Sequence, residues 1–430
     1  MYHYLKKLPL SLYIILMTAL LLHLLFILKN PGYAFNEVPE VKYGAVDADN
    51  YTMTAEKLLK KGVFGYVYLE PGLYPETFPE KNAYITPGQP IYLAGVLLLS
   101  KILPISYYHL GITLNILFDL GTIFLIYLIA ITLFRNRLYG IIASGLFTTS
   151  LGMYHYFRTL LTEPQALFLF SLALYLFILA VKKNTKKLHI WFGIVTSILL
   201  MFRPNPAPIL LIGVIIVLYK FGIKTSLKIA SWWIIGPILI IGPWVLRNWI
   251  SLHQFVLFST QGGNPLIAGI DPFNKKGLEQ VGREMAESGF TDSKQYAIYA
   301  IKNGFTHDFT YWFSWFTVGK TLELYKQPAE TFNYYYYPFY PFIKSLHIFT
   351  MLSALITSIF CLLQSQKYKI VTMLFAAFFI YTAFSNIFLA IDRYGYFISP
   401  IICLIASFGI SSTVLWIRQS FFHPIGTKHA

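Results

Sequence analysis

Apolar residues in this chain come in runs of about 20, repeated from Leu10 to Ile417. A run of that length, folded as an α-helix, crosses the hydrocarbon core of a bilayer, and a soluble domain has no use for so many. The candidate spans are 10–28, 106–134, 138–157, 164–181, 188–202, 206–219, 229–246, 342–363, 370–390 and 396–417. Composition agrees: 56% of residues are hydrophobic and only 12% charged, where a soluble domain would be about 25% charged. That excludes an ordinary water-soluble enzyme. The expected fold class is an all-α polytopic membrane protein, with 1–430 as a single transmembrane unit of about ten helices.

The charges orient these helices. Lys6 and Lys7 precede the run 10–28, which is too long for a signal-peptide core and lacks a small-residue cleavage site, so it reads as a retained first helix. One further apolar stretch, Pro90–Leu103, is short for a crossing. Counting it as one would turn Arg135, Arg137 and every later basic cluster outward, against the positive-inside bias. Read as interfacial or re-entrant, it leaves both chain ends in the cytoplasm. The cytoplasmic segments then carry 15 bases and no acid, while 16 of the 19 acids fall in two outer loops, 29–104 and 247–341. The formal net charge of +15 is thus a topology signal, and no nucleic-acid partner is expected. Spans 188–202 and 206–219 are short enough to form a shallow hairpin instead, with no effect on parity downstream. The aromatic run Tyr334–Tyr340 fits an interfacial belt. Cys361 and Cys403, the only cysteines, sit inside apolar runs and offer neither a disulfide framework nor a thiolate metal site.

The short cytoplasmic turns hold no Gly-rich phosphate loop and no dinucleotide fingerprint. Chemistry must therefore sit on the outer face, where connections this long are usually functional. Asp47 and Asp49 open a helical stretch, Tyr51–Lys61, and place two carboxylates at a helix N-terminus. They read equally as simple N-caps, as a general base, or as ligands of a divalent metal. Glu163, in Thr162-Glu163-Pro164, is the only acid between Asp119 and Asp271, and a lone carboxylate at a membrane boundary points to function over capping. Arg203, Arg247 and Arg393 all face outward against the charge bias. One such arginine would be ordinary snorkelling, but three on one face suit phosphate oxygens at headgroup level. Asp119, mid-span, is expected to make a buried structural hydrogen bond with Asn115 or a neighbouring helix. The histidines show no ligand spacing.

Taken in order, several stretches resemble the GT-C superfamily of integral-membrane glycosyltransferases, in particular the bacterial relatives of protein O-mannosyltransferases and lipid A aminoarabinose transferases. They are Asp47-Ala48-Asp49-Asn50-Tyr51, Thr86-Pro87-Gly88-Gln89-Pro90, Leu161-Thr162-Glu163-Pro164, Arg203-Pro204, Pro243-Trp244-Val245-Leu246-Arg247-Asn248-Trp249, Phe258–Asn264 and Arg393-Tyr394. The resemblance implies a sugar donor linked to polyprenyl phosphate, a glycan, lipid or protein acceptor, inverting transfer, and an active site on the periplasmic or extracellular side of the cell membrane. It makes Asp47, then Asp49, the candidate base, with Glu163 orienting acceptor or metal. Arg247 and Arg393, with Arg203 and Arg158, become candidates for the donor phosphate, and Tyr51, Tyr394 and Asn248 for substrate binding. No cofactor is required, and Asp47 and Asp49 are candidate ligands of an optional divalent metal. A glycan ligase or polymerase is the alternative within this class, and a transporter or flippase outside it. The absence of internal repeats and of paired interrupted helices weighs against a transporter.

Overall fold

The computed structural model describes residues 8–29, 46–67, 79–261, 263–326, 328 and 340–422, and every regular element among them is helical. The bundle comprises α1 (Leu10–Lys29), α2 (Val46–Lys61), α3 (Gly88–Ile102), α4 (Tyr107–Phe134), α5 (Arg137–Thr148), α6 (Glu163–Lys183), α7 (Lys186–Phe202), α8 (Leu210–Trp233) and α9 (Ile235–Leu252). Beyond them come α10 (Leu278–Glu287), α11 (Ser293–His307), α12 (Lys320–Tyr325), α13 (Tyr340–Leu363), α14 (Lys369–Ser385), α15 (Asp392–Gly395) and α16 (Ser399–Phe422). Among the described residues, seven helical stretches are long and apolar enough to cross a membrane: Leu10–Leu28, Tyr107–Phe134, Glu163–Lys183, Ala207–Trp233, Ile235–Leu252, Tyr340–Leu363 and Asp392–Ser420. The chain is therefore built as a multi-pass membrane protein. Three expected spans, 138–157, 188–202 and 370–390, correspond to shorter helices, and Pro90–Leu103 lies on the short helix α3.

The expected span 138–157 is not one helix. Thr148 and Thr149 bond back to the carbonyls of Ser144 and Leu146, both at 2.9 Å. α5 ends at Thr148, and a separate 3₁₀ segment, Leu151–Arg158, continues the chain. A second departure is at 229–246. Gly222, at φ 71°, breaks α8. Lys220 donates to the Val181 carbonyl at 2.6 Å, and Trp233 Nε1 to His189 at 3.0 Å. Residues 220–233 thus stay level with the α6–α7 turn, and the next crossing helix starts at Ile235. There α9 crosses α7 in backbone contact: a Cβ on Gly236 would lie 2.1 Å from the Gly193 carbonyl oxygen.

The basic turns share one end of the bundle. Lys182 donates to the Thr132 carbonyl beside the Arg135 turn, and Lys369 lies over the Tyr219 ring at 5.8 Å. Asp119 finds the neighbouring helix expected of it: its carboxylate meets His23 Nε2 of α1 at 2.8 Å, with both side chains buried. At the opposite end, α10 and α11 close a small core of Leu266, Ile270, Val281, Tyr296 and Ala297. That cluster docks on the α14–α15 connection, through Leu389 N to the Pro265 carbonyl at 2.7 Å and Lys320 Nζ to the Phe388 carbonyl at 2.8 Å. Of the aromatic run, Tyr334–Phe339 lies outside the described residues, and Tyr340 is the buried first residue of α13.

Candidate active site

The chain between Phe157 and Thr162 is irregular, and its carbonyls would be costly to leave unpaired inside a membrane protein. Two side-chain amides hold them, and a third orients one of the two. Gln89 of α3 donates to the carbonyls of Leu160 (2.7 Å) and Leu161 (3.1 Å). Asn115 of α4 donates to those of Phe157 (3.2 Å) and Thr159 (2.7 Å), and its own oxygen accepts from Gln165 at 2.9 Å. This frame delivers Glu163, with Pro164 behind it, to the first turn of α6 at 2% exposure.

Glu163 Oε1 accepts from Arg203 Nη1 at 2.6 Å and from Arg393 Nε. Two guanidinium groups, from the end of α7 and from α15, are thereby drawn together on one carboxylate oxygen. Arg393 Nη1 reaches on to Asp47 Oδ2, on the first turn of α2, at 3.3 Å. Asp47 is about half exposed while Glu163 is sealed, so the two acids have different prospects. Glu163 is committed to the arginines, whereas Asp47 keeps an open face. Burial disfavours the Arg203 charge, and the Glu163 carboxylate more than offsets it, holding the guanidinium above the usual arginine range.

Aromatic rings wall this cluster. Arg203 stacks over Tyr394 at 5.3 Å and Arg393 over Tyr156 at 5.8 Å. Tyr381 fixes the turn by donating to the Tyr394 carbonyl at 2.8 Å. Tyr51, in the electrostatic field of Asp47 and both arginines, has its hydroxyl pushed well above the usual phenol range, by burial first and by Asp47 second. Its hydroxyl therefore stays neutral beside Asp47.

Other sequence candidates lie elsewhere. Arg247 donates from Nη1 to the Asn82 carbonyl (3.0 Å) and to Asn248 Oδ1 (2.8 Å), and from Nη2 to the Phe64 carbonyl, so it clasps the segment between α2 and α3. Asn248, fully buried, donates to the Val256 carbonyl at 3.2 Å. Arg158 places its guanidinium over Phe26 of α1 at 5.8 Å. Asp49 is buried on α2. Residues i and i+2 of a helix stand about 200° apart around its axis. Asp47 turns to Arg393 while Asp49 turns inward, so the pair does not converge on one cation, and no step is assigned to a metal. Among the described residues no group of three His, Cys, Asp or Glu side chains could hold one.

Tyr66, Tyr156, Tyr381 and the amide frame were not singled out from sequence as functional. Polar Gln89, Asn115 and Gln165 within apolar helices were the available signal, since each such amide needs a partner. Tyr66 accepts from Asn50 at 2.9 Å, and its backbone N–H is held by Asn82 at 3.0 Å.

A cavity of 280 Å³ begins beside this cluster. Its walls come from α6, α7, α8, α14 and α16, and they are almost wholly apolar. It runs from Leu199, Pro206 and Ile401 at the arginine end to Lys182 and Lys220 among the basic turns.

The chain has the fold of an oligosaccharyltransferase from Archaeoglobus fulgidus, whose crystal structure is a complex with zinc and sulfate: TM-score 0.56, 14% identity, over 95% of this chain and 49% of that one. This chain therefore spans about half the length of that protein. No family model matches the sequence, and no curated protein matches it.

Proposed function

We propose that this chain is a membrane glycosyltransferase that moves a sugar from a polyprenyl-phosphate-linked donor to an acceptor on the outer face of the cell membrane, with inversion. The observation that carries the reading is the Glu163-bridged pair Arg203 and Arg393, set beside the open carboxylate of Asp47. Paired guanidinium groups suit a phosphate, and the apolar cavity among α6, α7, α8, α14 and α16 suits an isoprenoid chain.

In this mechanism the acceptor hydroxyl oxygen attacks the anomeric carbon and its proton passes to Asp47. The bond from that carbon to the phosphate oxygen breaks, and the electron pair leaves with polyprenyl phosphate. Arg203 and Arg393 stabilise the charge that develops there. One displacement inverts the centre, and no carboxylate forms a covalent intermediate. Glu163 acts through the arginines as a positioning residue. Tyr51 and Tyr394 contact the sugar in this reading.

The test uses the purified chain with a labelled polyprenyl-phosphate sugar and membrane extract as acceptor source. Asp47→Asn is expected to stop label transfer while the protein folds normally, and wild-type transfer rates in that variant would sink the assignment. Transfer of a preassembled glycan is the second reading, favoured by the likeness to an oligosaccharyltransferase fold. The mass of the transferred group distinguishes the two.

A further inference from the structure

The cluster built by α10 and α11 carries a cleft of 440 Å³, a volume within the range of small-molecule sites. Both helices line it, with Trp312 beyond the end of α11. Whereas the cavity among α6, α7, α8, α14 and α16 is almost wholly apolar, this cleft mixes aromatic rings with polar side chains. Phe290 packs on the Tyr299 ring at 5.2 Å and 32°, which steadies a ring that is still 48% exposed. Trp312 is fixed as well: a Cβ on Gly304 would collide with its indole, and Phe316 stacks on it at 6.1 Å.

The polar groups of the cleft are short of partners. Tyr296 is 5% exposed and lines the cleft, yet its hydroxyl makes no hydrogen bond among the described residues, an unmet demand for a buried phenol. Glu287 and the Asn303 amide also make none there. Asp308 spends one oxygen on the Tyr311 N–H at 3.2 Å, and Lys276 is taken by Glu284 at 2.9 Å. Three carboxylates thus face one lysine that is already paired, a field that repels anions, the donor phosphate among them. A sugar ring without charge complements such a lining. Its C–H face suits the negative face of the Tyr299 ring, and its hydroxyls donate to carboxylates and exchange hydrogen bonds with Asn303 and Tyr296.

We propose that this cleft binds an uncharged glycan, and that this glycan is the sugar acceptor. The second half rests on the transferase reading. In its favour, the cluster docks on the α14–α15 connection at Phe388 and Leu389, and Gly395, two residues after Arg393, packs against the Leu324 carbonyl of α12. The part of the molecule that holds the cleft therefore also braces the turn that carries Arg393. The acceptor is several sugars long: inner units sit in the cleft, and the terminal hydroxyl meets Asp47.

Fluorescently labelled full chain in nanodiscs, passed without donor over an array of neutral oligosaccharides, anionic oligosaccharides and basic peptides, tests the site. Wild-type protein is expected to hold a subset of the neutral glycans. In titrations with the strongest of these, Tyr299→Ala should bind roughly tenfold more weakly, the loss of one stacking platform. Because Tyr299 also packs on Phe290, Asn303→Ala is run beside it. That side chain is exposed and makes no hydrogen bond among the described residues, so its loss is felt by a ligand and not by the fold. Failure to hold any neutral glycan, preference for anionic glycans or basic peptides, or wild-type affinity in both variants overturns the site. Labelled polyprenyl-phosphate sugar is then added. Label is expected on the retained glycan, and label found only in lipid or protein overturns the acceptor role. Glycan retention with no transfer of label to any acceptor overturns the transferase reading and leaves the cleft standing.

Discussion

At the residue scale, the two acids of the cluster differ by environment, and their variants should fail differently. Asp47 is open and bonded through one oxygen at 3.3 Å, so Asp47→Asn removes a base and leaves the arginines on Glu163. The expected outcome is a kcat lower by roughly 10²–10⁴ with donor KM little changed, measured with labelled donor. Glu163→Ala instead leaves two buried cations without their shared anion. Breaking such a pair costs about 3–5 kcal/mol, so thermal stability and donor binding should fall together. Lys320 is fully buried, donates to the Phe388 carbonyl, lies 3.9 Å from the centre of the Phe316 ring, and has its ammonium pushed down to about 7 by burial. Between pH 7 and its ordinary value of 10.5 the unfolded chain binds more protons there than the folded one. Stability should therefore rise with pH across that window, and below it the cost of the buried charge is constant. Thermal midpoints from pH 7 to 10 should climb in wild-type protein and run flatter in Lys320→Met.

Among the elements, helix contacts are set by small residues and by amides. The α7–α9 crossing has Gly193 and Gly236 in backbone contact, with Trp233 across from Gly193. Gly236→Ala should force the helices apart and lower stability by about 1–3 kcal/mol, measurable as a shift in the thermal aggregation midpoint. Legibility at this scale followed the apolar pattern. The long helices lie where their runs predict. The break after Thr148 is harder to see, since that residue lies inside an apolar stretch, whereas Gly222 falls between the expected spans 206–219 and 229–246. The pairing of Asp119 with a neighbouring helix follows from the cost of a buried acid. Its partner, His23, is 96 residues away and carries no mark in sequence.

For the whole molecule, the basic turns and the charged cluster occupy opposite ends of one bundle, which is what the acid-free inner face predicts. Cysteines introduced at Lys187 and Gln366, both exposed on the basic end, should resist an impermeant outer reagent. One at Lys276, exposed on the outer cluster, should label, and the native Cys361 and Cys403 are buried and silent. The reverse labelling pattern would refute this orientation. The site was partly legible for a related reason. Glu163, Arg203 and Arg393 are visible as charges at a membrane boundary or on the wrong side and Asp47 as a carboxylate at a helix N-terminus, whereas Arg247, conspicuous by the same criterion as the other arginines, braces the Phe64 and Asn82 carbonyls.

What the amino-acid order determines by itself is class and polarity. Apolar run length and the placement of lysine, arginine and acid are local quantities, and bilayer insertion reads them residue by residue. Which charges meet is a different matter. The contact from Asp47 to Arg393 joins residues 346 apart, and it exists because Gln89, Asn115 and Gln165 hold an irregular segment that seats Glu163 between the ends of α7 and α15. That arrangement depends on packing between distant helices, and so only the tertiary structure could decide it.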